Sequence, residues 1–539
     1  MFGVCFGFGV AGRLRRLLLA APLCLMACGD SSDNLAGTAP IPDAASDTSF
    51  AFPVSSGGLG VENPAAEIGV SSSSAEGPSS SWRPFSDGQS SLGAQYSLSV
   101  GSSSSEGIVE TVNSLWVDPP DTPLPNNGIP YLRITMADTS TMDSSVYSLC
   151  AIEIAGNGAY GDLPASNAKI RLRGNSTRLW YDKKPYRIKF ETKTAVLGLA
   201  ANKDWVLLAN YRDQSKFMNA VAFDMARYMG NFAFVNANRF VEVEINGDYK
   251  GVYQLTEQIE RASSRVNIGN AGVLLSLDKD DGPEFSPTAT NNFYSEVYGM
   301  PVAVKSRKDI SADQLKNIAA DFAVLEQAIA SADYDSVQKL LDVASFIDFV
   351  LLQELVRNVE LEAPRSMYLY KDDAGMYRFG PVWDFDGGFG YGWDEESKEY
   401  FTSQSWILGS ANPSTSPYNC VAANRNDWGM CNVAGDMGFS RGSFGQNNYD
   451  GYAVPGFFVN LFGNGRFLAD YRARIGELQS GILADVFGKL DGYAAVAATA
   501  LENDAVRWPP VRAYSTEIES LKRWLTERLD AYSRIVEAY

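Results

Sequence analysis

The sequence predicts an α+β fold with two lobes and a cleft between them. Segments in which apolar and polar residues alternate, as they do in half-buried strands, are concentrated before about residue 260. Segments with apolar residues at helical spacing are concentrated after it. Hydrophobic residues make up 45% of the 539 residues, which is enough for a large buried core.

The composition excludes several classes of enzyme, because the chain contains no histidine. Hydrolases that depend on a Ser-His-Asp or Cys-His arrangement are excluded, and so are zinc and iron sites with histidine ligands. Any catalysis must therefore use carboxylates, lysine, arginine, hydroxyls or a bound metal ion. The 64 acidic and 45 basic residues give a formal net charge of −19, which argues against nucleic acid as a partner.

Residues 1–27 have the pattern of a signal peptide. Arg13, Arg15 and Arg16 precede an apolar run of about 11 residues, which is shorter than the ~20 residues that span a bilayer. The run ends at Cys28 in a context that resembles a bacterial lipobox, so Cys28 is the predicted site of lipidation. An ordinary signal peptide with an incidental cysteine is the alternative. The lipobox resemblance implies a lipid-anchored protein of the bacterial cell envelope, at the outer membrane or the cell surface.

Residues 28–107 are rich in serine, with glycine, proline and alanine between the serine runs. Such a segment cannot bury enough apolar surface to fold, so we predict a disordered tether. Residues 108–539 have the pattern of a folded domain, with a strand-rich lobe over about residues 108–260 and a helical lobe over about residues 261–539. In that second lobe, a Cys420–Cys431 disulfide is plausible for an exported protein.

Local patterns predict the individual elements of both lobes. Helical spacing predicts a helix at residues 217–229, and two alternating runs around Asn246-Gly247-Asp248 predict a hairpin over residues 240–255. Alternation predicts strands at residues 151–154, 169–173 and 186–190. In the second lobe, helical spacing predicts helices at residues 311–330, 337–359, 466–483, 493–503 and 518–537.

A cationic cluster is conspicuous in this acidic chain. The strand at residues 169–173 leads into Gly174-Asn175-Ser176, a turn whose backbone N–H groups could bind an anion. On the returning strand, Arg187 and Lys189 share one face. The cluster predicts a phosphate-binding site, and the alternative is a solvent-exposed strand face beside an ordinary hairpin.

Two carboxylates, Asp384 and Asp386, lie between aromatic residues and glycines. The pattern predicts that both lie at the end of a buried strand, where they can share a divalent cation with oxygen ligands. Burial of two unpaired carboxylates is costly, so a metal, an arginine or a lysine must compensate them. The alternatives are a structural Asp pair that caps a turn and a pair of glycosidase carboxylates.

Five ordered segments together resemble the CotH kinase family, secreted atypical protein kinases named after a spore-coat protein. The segments are RLRGNST with KKPYRIKF, LLANYRDQSKFMNAVAFDMAR, VEINGDYKGVYQLTEQI, YLYKDDAGMYRFGPVWDFDGGFGY, and RWPP with LKRWLTERLD. They are spread over about residues 110–535, which is nearly the whole predicted domain.

The resemblance implies an atypical protein-kinase-like fold in which ATP and Mg²⁺ or Mn²⁺ bind between a strand-rich and a helical lobe. It implies phosphoryl transfer to Ser or Thr of an exported or cell-surface protein. It assigns catalysis to Lys189, Glu360, Asp384 and Asp386, with Asp384 and Asp386 as metal ligands. It assigns cofactor binding to Arg173, Gly174, Asn175, Ser176, Arg187, Lys189 and Glu257.

The sequence departs from the family pattern at one acidic position. The family has Asn-x-Asp there, whereas this chain has Asn358-Val359-Glu360, and Ser366 stands where many members have a metal-binding Asn. Glu362 is the alternative acid if the segment is shifted in register. Two other functions therefore stay open. One is a catalytically degenerate surface protein for binding or scaffolding, and the other, suggested by aromatic residues after residue 390, is a carbohydrate-active protein.

Overall fold

The computed structural model describes residues 118–138, 142–307, 309–361, 364–389 and 454–538. Seven strands of the first lobe close into a barrel. Their order around the barrel is β1-β2-β3-β4-β5-β7-β6, with bounds β1 (Tyr131–Met136), β2 (Ser148–Ala155), β3 (Leu163–Leu172), β4 (Tyr186–Val196), β5 (Leu199–Leu208), β6 (Arg239–Ile245) and β7 (Asp248–Glu257). Every neighbouring pair is antiparallel except β1 and β6, which run parallel and close the barrel.

Alternation along the strands places apolar side chains inside the barrel and charged side chains outside it. On β4, Ile188 is buried in the barrel core, whereas Arg187 is partly exposed and Lys189 is exposed. The turn between β6 and β7 is tight, because Asn246 and Gly247 have positive φ angles of 50° and 79°, as a two-residue type I′ turn requires. The three predicted strands and the predicted hairpin are confirmed.

A second sheet lies in the part of the chain that was predicted to be helical. Its strands are β8 (Val273–Leu277), β9 (Asn292–Tyr294), β10 (Pro301–Val304), β11 (Met367–Lys371) and β12 (Tyr377–Phe379), in the antiparallel order β12-β11-β8-β10-β9. The second lobe is therefore helix-rich, as predicted, but it also contains a sheet that the prediction of a helical lobe from about residue 261 did not include. β8 and β10 are short, almost fully buried runs, which lack the alternation that identifies a half-exposed strand.

Most of the helices follow the barrel in the chain, so the predicted α+β organisation is confirmed. Short 3₁₀ segments occur at Lys279–Asp281, Val359–Leu361 and Asn460–Gly463. The α-helices are α1 (Ser176–Trp180), α2 (Met218–Met229), α3 (Ala312–Ala330), α4 (Tyr334–Leu340), α5 (Val343–Leu355), α6 (Gly456–Val459), α7 (Gly465–Gln479), α8 (Ile482–Val496), α9 (Ala498–Arg507) and α10 (Tyr514–Ala538).

Three predicted helices are interrupted in the structure, and the one predicted at residues 466–483 covers α7, a break at Ser480 and Gly481, and the first residues of α8. The helix predicted at residues 337–359 is divided into α4 and α5 at Leu341 and Asp342. Leu341 is extended and pairs with β12, and the Asp342 side chain accepts a backbone N–H of the first turn of α5 and caps that helix. The helix predicted at residues 493–503 covers the end of α8, a break at Ala497 and the start of α9. Apolar periodicity alone does not reveal such breaks.

A buried ion pair joins the barrel to the helices. Lys183, which precedes β4, places its Nζ 2.7 Å from Oδ1 of Asp504 on α9, and neither side chain is exposed to solvent. Asp504 also accepts hydrogen bonds from the N–H of Val252 on β7 at 2.8 Å and from the hydroxyl of Tyr514 on α10 at 2.7 Å. Although burial alone would raise the pKa of Asp504, the ammonium groups of Lys183 and Lys216 hold that pKa below its ordinary value.

Some predictions concern residues outside the described part of the chain, and they stay predictions. These are the signal peptide at residues 1–27, lipidation of Cys28, the tether at residues 28–107 and the Cys420–Cys431 disulfide. Among the described residues, Cys150 is a buried free cysteine. No helix among them combines the length and apolar character needed to cross a membrane.

Removal of Lys183 should leave the Asp504 carboxylate buried and uncompensated. We expect Lys183→Met to lower the free energy of unfolding by about 3–5 kcal/mol, measured by urea denaturation. Because the pKa of Asp504 is lowered in the fold, the contribution of the pair is present above the ordinary carboxyl pKa and is lost as the pH falls through the lowered value.

The matched control is Lys489→Met, which removes an ion pair with Asp485 whose side chains are 39% and 35% exposed. Such a pair contributes less than about 1 kcal/mol. Equal losses of stability in the two variants would show that the buried pair does not hold the barrel to the helices.

Candidate functional site

A cavity of about 610 Å³ lies between the barrel and the second sheet. On the barrel side it is lined by the end of β3, the turn that follows, α1, the start of β4 and the end of β5. The other side is formed by the 3₁₀ segments after β8 and α5, by β11 and by the loop after β12. The charged lining residues are Arg171, Arg173, Arg178, Arg187, Asp278, Asp280, Asp281, Lys305, Glu360, Arg365, Asp384 and Asp386.

The barrel side of the cavity is cationic. Gly174 has a φ angle of 78°, which glycine adopts without strain, and this lets the chain turn sharply from β3 into α1. Just before the turn, the Arg173 guanidinium lies 5.5 Å from the ring centre of Trp383 in a cation–π contact. Just after Gly174, Asn175 Nδ2 donates to Asp280 at 3.1 Å. These contacts bring the cationic turn of the barrel against the acidic segments of the second sheet.

The opposite side of the cavity carries carboxylates from three separate segments. Asp384 follows β12 and has a φ angle of 64°, a left-handed conformation that is uncommon for a non-glycine residue. Asp278 directly follows β8, and Glu360 lies in the 3₁₀ segment after α5. Ser366 links two of these groups, because its N–H donates to Asp278 at 3.1 Å and its hydroxyl lies 3.5 Å from Oδ2 of Asp384.

Burial and mutual repulsion raise the pKa values of these carboxyl groups. Burial, and then the proximity of Asp386, raises the pKa of Asp384 to about 7. Burial, and then the proximity of Asp281, raises the pKa of Asp278 to about 7. The pKa of Glu360 is raised well above its ordinary value by burial and by the two nearby Asp side chains after β12. Ionisation of the whole cluster is therefore unfavourable unless a cation is added.

A divalent cation would relieve this repulsion. The Glu360 residue is 8% exposed, and its Oε2 has no hydrogen-bond partner. Carboxylate oxygens are the ligands that Mg²⁺ and Mn²⁺ prefer, so the donor set fits a hard cation, which Asp384 and Asp386 would hold beside Glu360. In the described part of the chain, however, no group of three or more such side chains already has the spacing of a metal site.

The cavity brings together eight of the ten predicted catalytic and binding residues. Lys189 and Glu257 are not among the lining residues. The Lys189 ammonium lies 3.6 Å from Asp204, and Glu257 accepts the backbone N–H of Ala237 at 2.8 Å. The alternative acid Glu362 lies outside the described residues. The eight residues in the cavity, whose roles stay predictions, are Arg173, Gly174, Asn175, Ser176, Arg187, Glu360, Asp384 and Asp386.

Sequence patterns did not reveal a second acidic segment of the cavity, which contains Asp278, Asp280 and Asp281. These acids directly follow the apolar run that forms the buried strand β8, and this position was the signal that could have identified them. Lys305 and Arg365, which form ion pairs with two of these acids, gave no signal, because only the fold brings them close.

A comparison with protein families matches residues 170–532 to the family described as CotH kinase protein. The matched residues include all the charged residues that line the cavity. No curated protein matches the chain at a significant level.

Neutralisation of Asp384 should relieve part of the repulsion in the cavity. We expect Asp384→Asn to raise the free energy of unfolding by about 1 kcal/mol or more at pH 7 without divalent cations, since one unit of pKa shift corresponds to about 1.4 kcal/mol. Added Mg²⁺ should raise the melting temperature of the unmodified chain more than that of the variant. The control is Asp485→Asn on the surface of α8, and a variant at Asp384 that is less stable than this control would contradict the expectation.

Proposed function

The chain belongs to the CotH kinase protein family, and we propose that it transfers the terminal phosphoryl group of ATP to Ser or Thr of exported or cell-surface proteins. We include in this proposal a kinase-like division into two lobes, with ATP and Mg²⁺ or Mn²⁺ bound between them. The observation that carries it is the cavity, which has a cationic side from the barrel and an acidic side from the second sheet.

The cationic side would bind the phosphate groups. Phosphoryl transfer depends mainly on alignment and on neutralisation of charge. Arg173 is suited to contact phosphate oxygens, because the ring of Trp383 orients its guanidinium. Arg187 would assist from the neighbouring strand, where it is held by Asp204 at 2.7 Å. Lys189 pairs with the same carboxylate, and its contact with the phosphates stays part of the proposal.

The acidic side would hold the metal and accept a proton. Asp384 and Asp386 are the proposed metal ligands, and a bound metal would supply neutralisation of the phosphate charge. Glu360 is the proposed acceptor for the proton of the substrate hydroxyl, because its Oε2 has no other partner. The hydroxyl oxygen forms a bond to the terminal phosphorus, the bond from that phosphorus to the bridging oxygen breaks, and ADP leaves.

We further propose that the reaction takes place in the bacterial cell envelope. Lipidation of Cys28 would anchor the chain to a membrane, and residues 28–107 would separate the folded part from the anchor. The support for this location is the sequence pattern of the leader and of the serine-rich segment.

A catalytically degenerate binding or scaffold protein is the second candidate. Glu360 stands where the family pattern has Asp, and Lys189 does not line the cavity. In addition, the residues that the structure describes contain no preformed group of three or more metal-binding side chains. On this alternative, the cavity would bind a nucleotide or another anion without turning it over.

Incubation of the full-length chain with radiolabelled ATP and Mg²⁺ or Mn²⁺ distinguishes the two candidates. We expect label on the chain itself or on an added mixture of envelope proteins. Asp384→Asn should lower the rate of label transfer at least about 100-fold, because a metal ligand is lost. Asp485→Asn should transfer label at the rate of the unmodified chain. Nucleotide binding without label transfer under either metal would favour the binding protein, and label transfer that Asp384→Asn leaves unchanged would exclude this cavity as the site.

A further inference from the structure

Side chains hold the backbone around the two acidic residues that follow β12. Asp384 has a φ angle of 64°, which is costly for a non-glycine residue, so the surrounding contacts must hold it there. Two such contacts are made to the backbone of Phe385 and of Asp386. The N–H of Phe385 donates to Oδ1 of Asn219 at 2.9 Å, and the Arg212 guanidinium donates to the backbone carbonyl of Asp386.

Asn219 is the first member of a chain of four side-chain amides, which we call the amide chain. All four residues are at most 8% exposed. Each amide N–H donates to the oxygen of the next amide, so the hydrogen bonds all run in one direction. They run from Asn219 Nδ2 to Asn210 Oδ1 at 3.3 Å, from Asn210 Nδ2 to Gln254 Oε1 at 3.1 Å, and from Gln254 Nε2 to Asn238 Oδ1 at 2.9 Å.

The amide chain ends on a carboxylate. Asn238 Nδ2 donates to the hydroxyl of Tyr493 on α8 at 3.3 Å, and this hydroxyl donates to Oδ2 of Asp224 on α2 at 2.8 Å. Aligned hydrogen bonds polarise one another, and a charged acceptor gives a stronger bond than a neutral one. The N–H of Phe385 is therefore the first donor of a continuous hydrogen-bonded series that connects the loop after β12 with α2, β7 and α8.

We propose that the amide chain, together with Arg212, positions Asp384 and Asp386 for catalysis, an inference that rests on the proposed phosphoryl transfer in this cavity. Asn219 and Asn210 line the cavity, whereas Gln254 and Asn238 are not among its lining residues. These four are positioning residues, since they act on the carboxylates through the backbone of Phe385.

A small displacement of Asp384 and Asp386 would slow the proposed reaction. A displacement of about 1 Å at reacting groups can lower a rate by about 100-fold. The N–H of Phe385 lies between the two carboxylate-bearing residues, so its hydrogen bond to Asn219 restrains the backbone that carries both. Buried amides are also costly when any of their groups is unsatisfied, so a cut at one point should loosen the rest of the amide chain.

Variants of the full-length protein that cut the amide chain at different points test this inference. Asn219→Leu removes the acceptor for the Phe385 N–H and also the donor to the next amide, whereas Asn219→Asp keeps the acceptor. Gln254→Met cuts the amide chain at a residue that does not line the cavity. The control is Asn460→Leu, which removes another buried amide (4% exposed) that donates to the hydroxyl of Tyr298 at 3.0 Å.

Hydrogen–deuterium exchange of the peptide that contains Phe385 measures positioning without reference to activity. We expect exchange at this amide to be about tenfold faster in Asn219→Leu and Gln254→Met than in Asn460→Leu, as for the loss of one hydrogen bond. In label transfer, the same two variants should lower kcat at least about tenfold with KM for ATP changed less than about threefold. Asn219→Asp keeps the acceptor for the Phe385 N–H but removes the donor to Asn210, so exchange at Phe385 should be slower than in Asn219→Leu, although the amide chain is cut in both.

The two measurements separate this inference from the proposed function. Exchange at Phe385 that is no faster in Asn219→Leu than in Asn460→Leu overturns the inference, whatever the activity of the chain. Faster exchange with unchanged kcat in an active chain also overturns it. Absence of label transfer by the unmodified chain overturns the proposed function, and with it the catalytic part of the inference, while the exchange result still decides whether the amide chain holds the segment.

Discussion

Burial of several carboxyl groups in one cavity is the constraint on which the rest of the structure depends. Asp278, Glu360 and Asp384 come from segments that are far apart in sequence, and burial together with neighbouring acidic side chains raises the pKa of each. Repulsion of this kind persists only where other contacts hold the segments in place or a cation compensates the charge. Arg173, which lies against Trp383, supplies part of that compensation from the barrel side.

The fold holds these segments with rigid elements. β8 and β11 are antiparallel, with Leu277 opposite Met367, so the residue after β8 and the residue before β11 must be neighbours. This explains why the N–H of Ser366 reaches Asp278. The barrel positions the cationic turn, and the Lys183–Asp504 pair connects the barrel to α9. The amide chain connects the loop after β12 to β7 of the barrel and to α2 and α8.

Local sequence patterns were sufficient to identify elements that depend on residues close together in the sequence. Alternation identified β4, and Asn246-Gly247 identified the tight turn between β6 and β7, because each signal lies within a few residues. They were not sufficient where distant segments meet. Asp278 joins the candidate site only through the pairing of β8 with β11, and Lys189 lies outside the cavity although it shares a strand face with Arg187. The members of the amide chain come from α2, from β7 and from the segments after β5 and before β6, so only the fold brings their side chains together.

Calorimetric titration of the full-length chain tests the central claim most directly, namely that nucleotide phosphates and a divalent cation bind together in this cavity. The ligand is a non-hydrolysable ATP analogue, added with and without Mn²⁺. We expect Mn²⁺ to raise the affinity for the analogue at least about tenfold, with loss of this enhancement in Asp384→Asn and weaker binding under both conditions in Arg173→Met. Affinity that is the same with and without Mn²⁺, and unchanged in both variants, would contradict the assignment of this cavity.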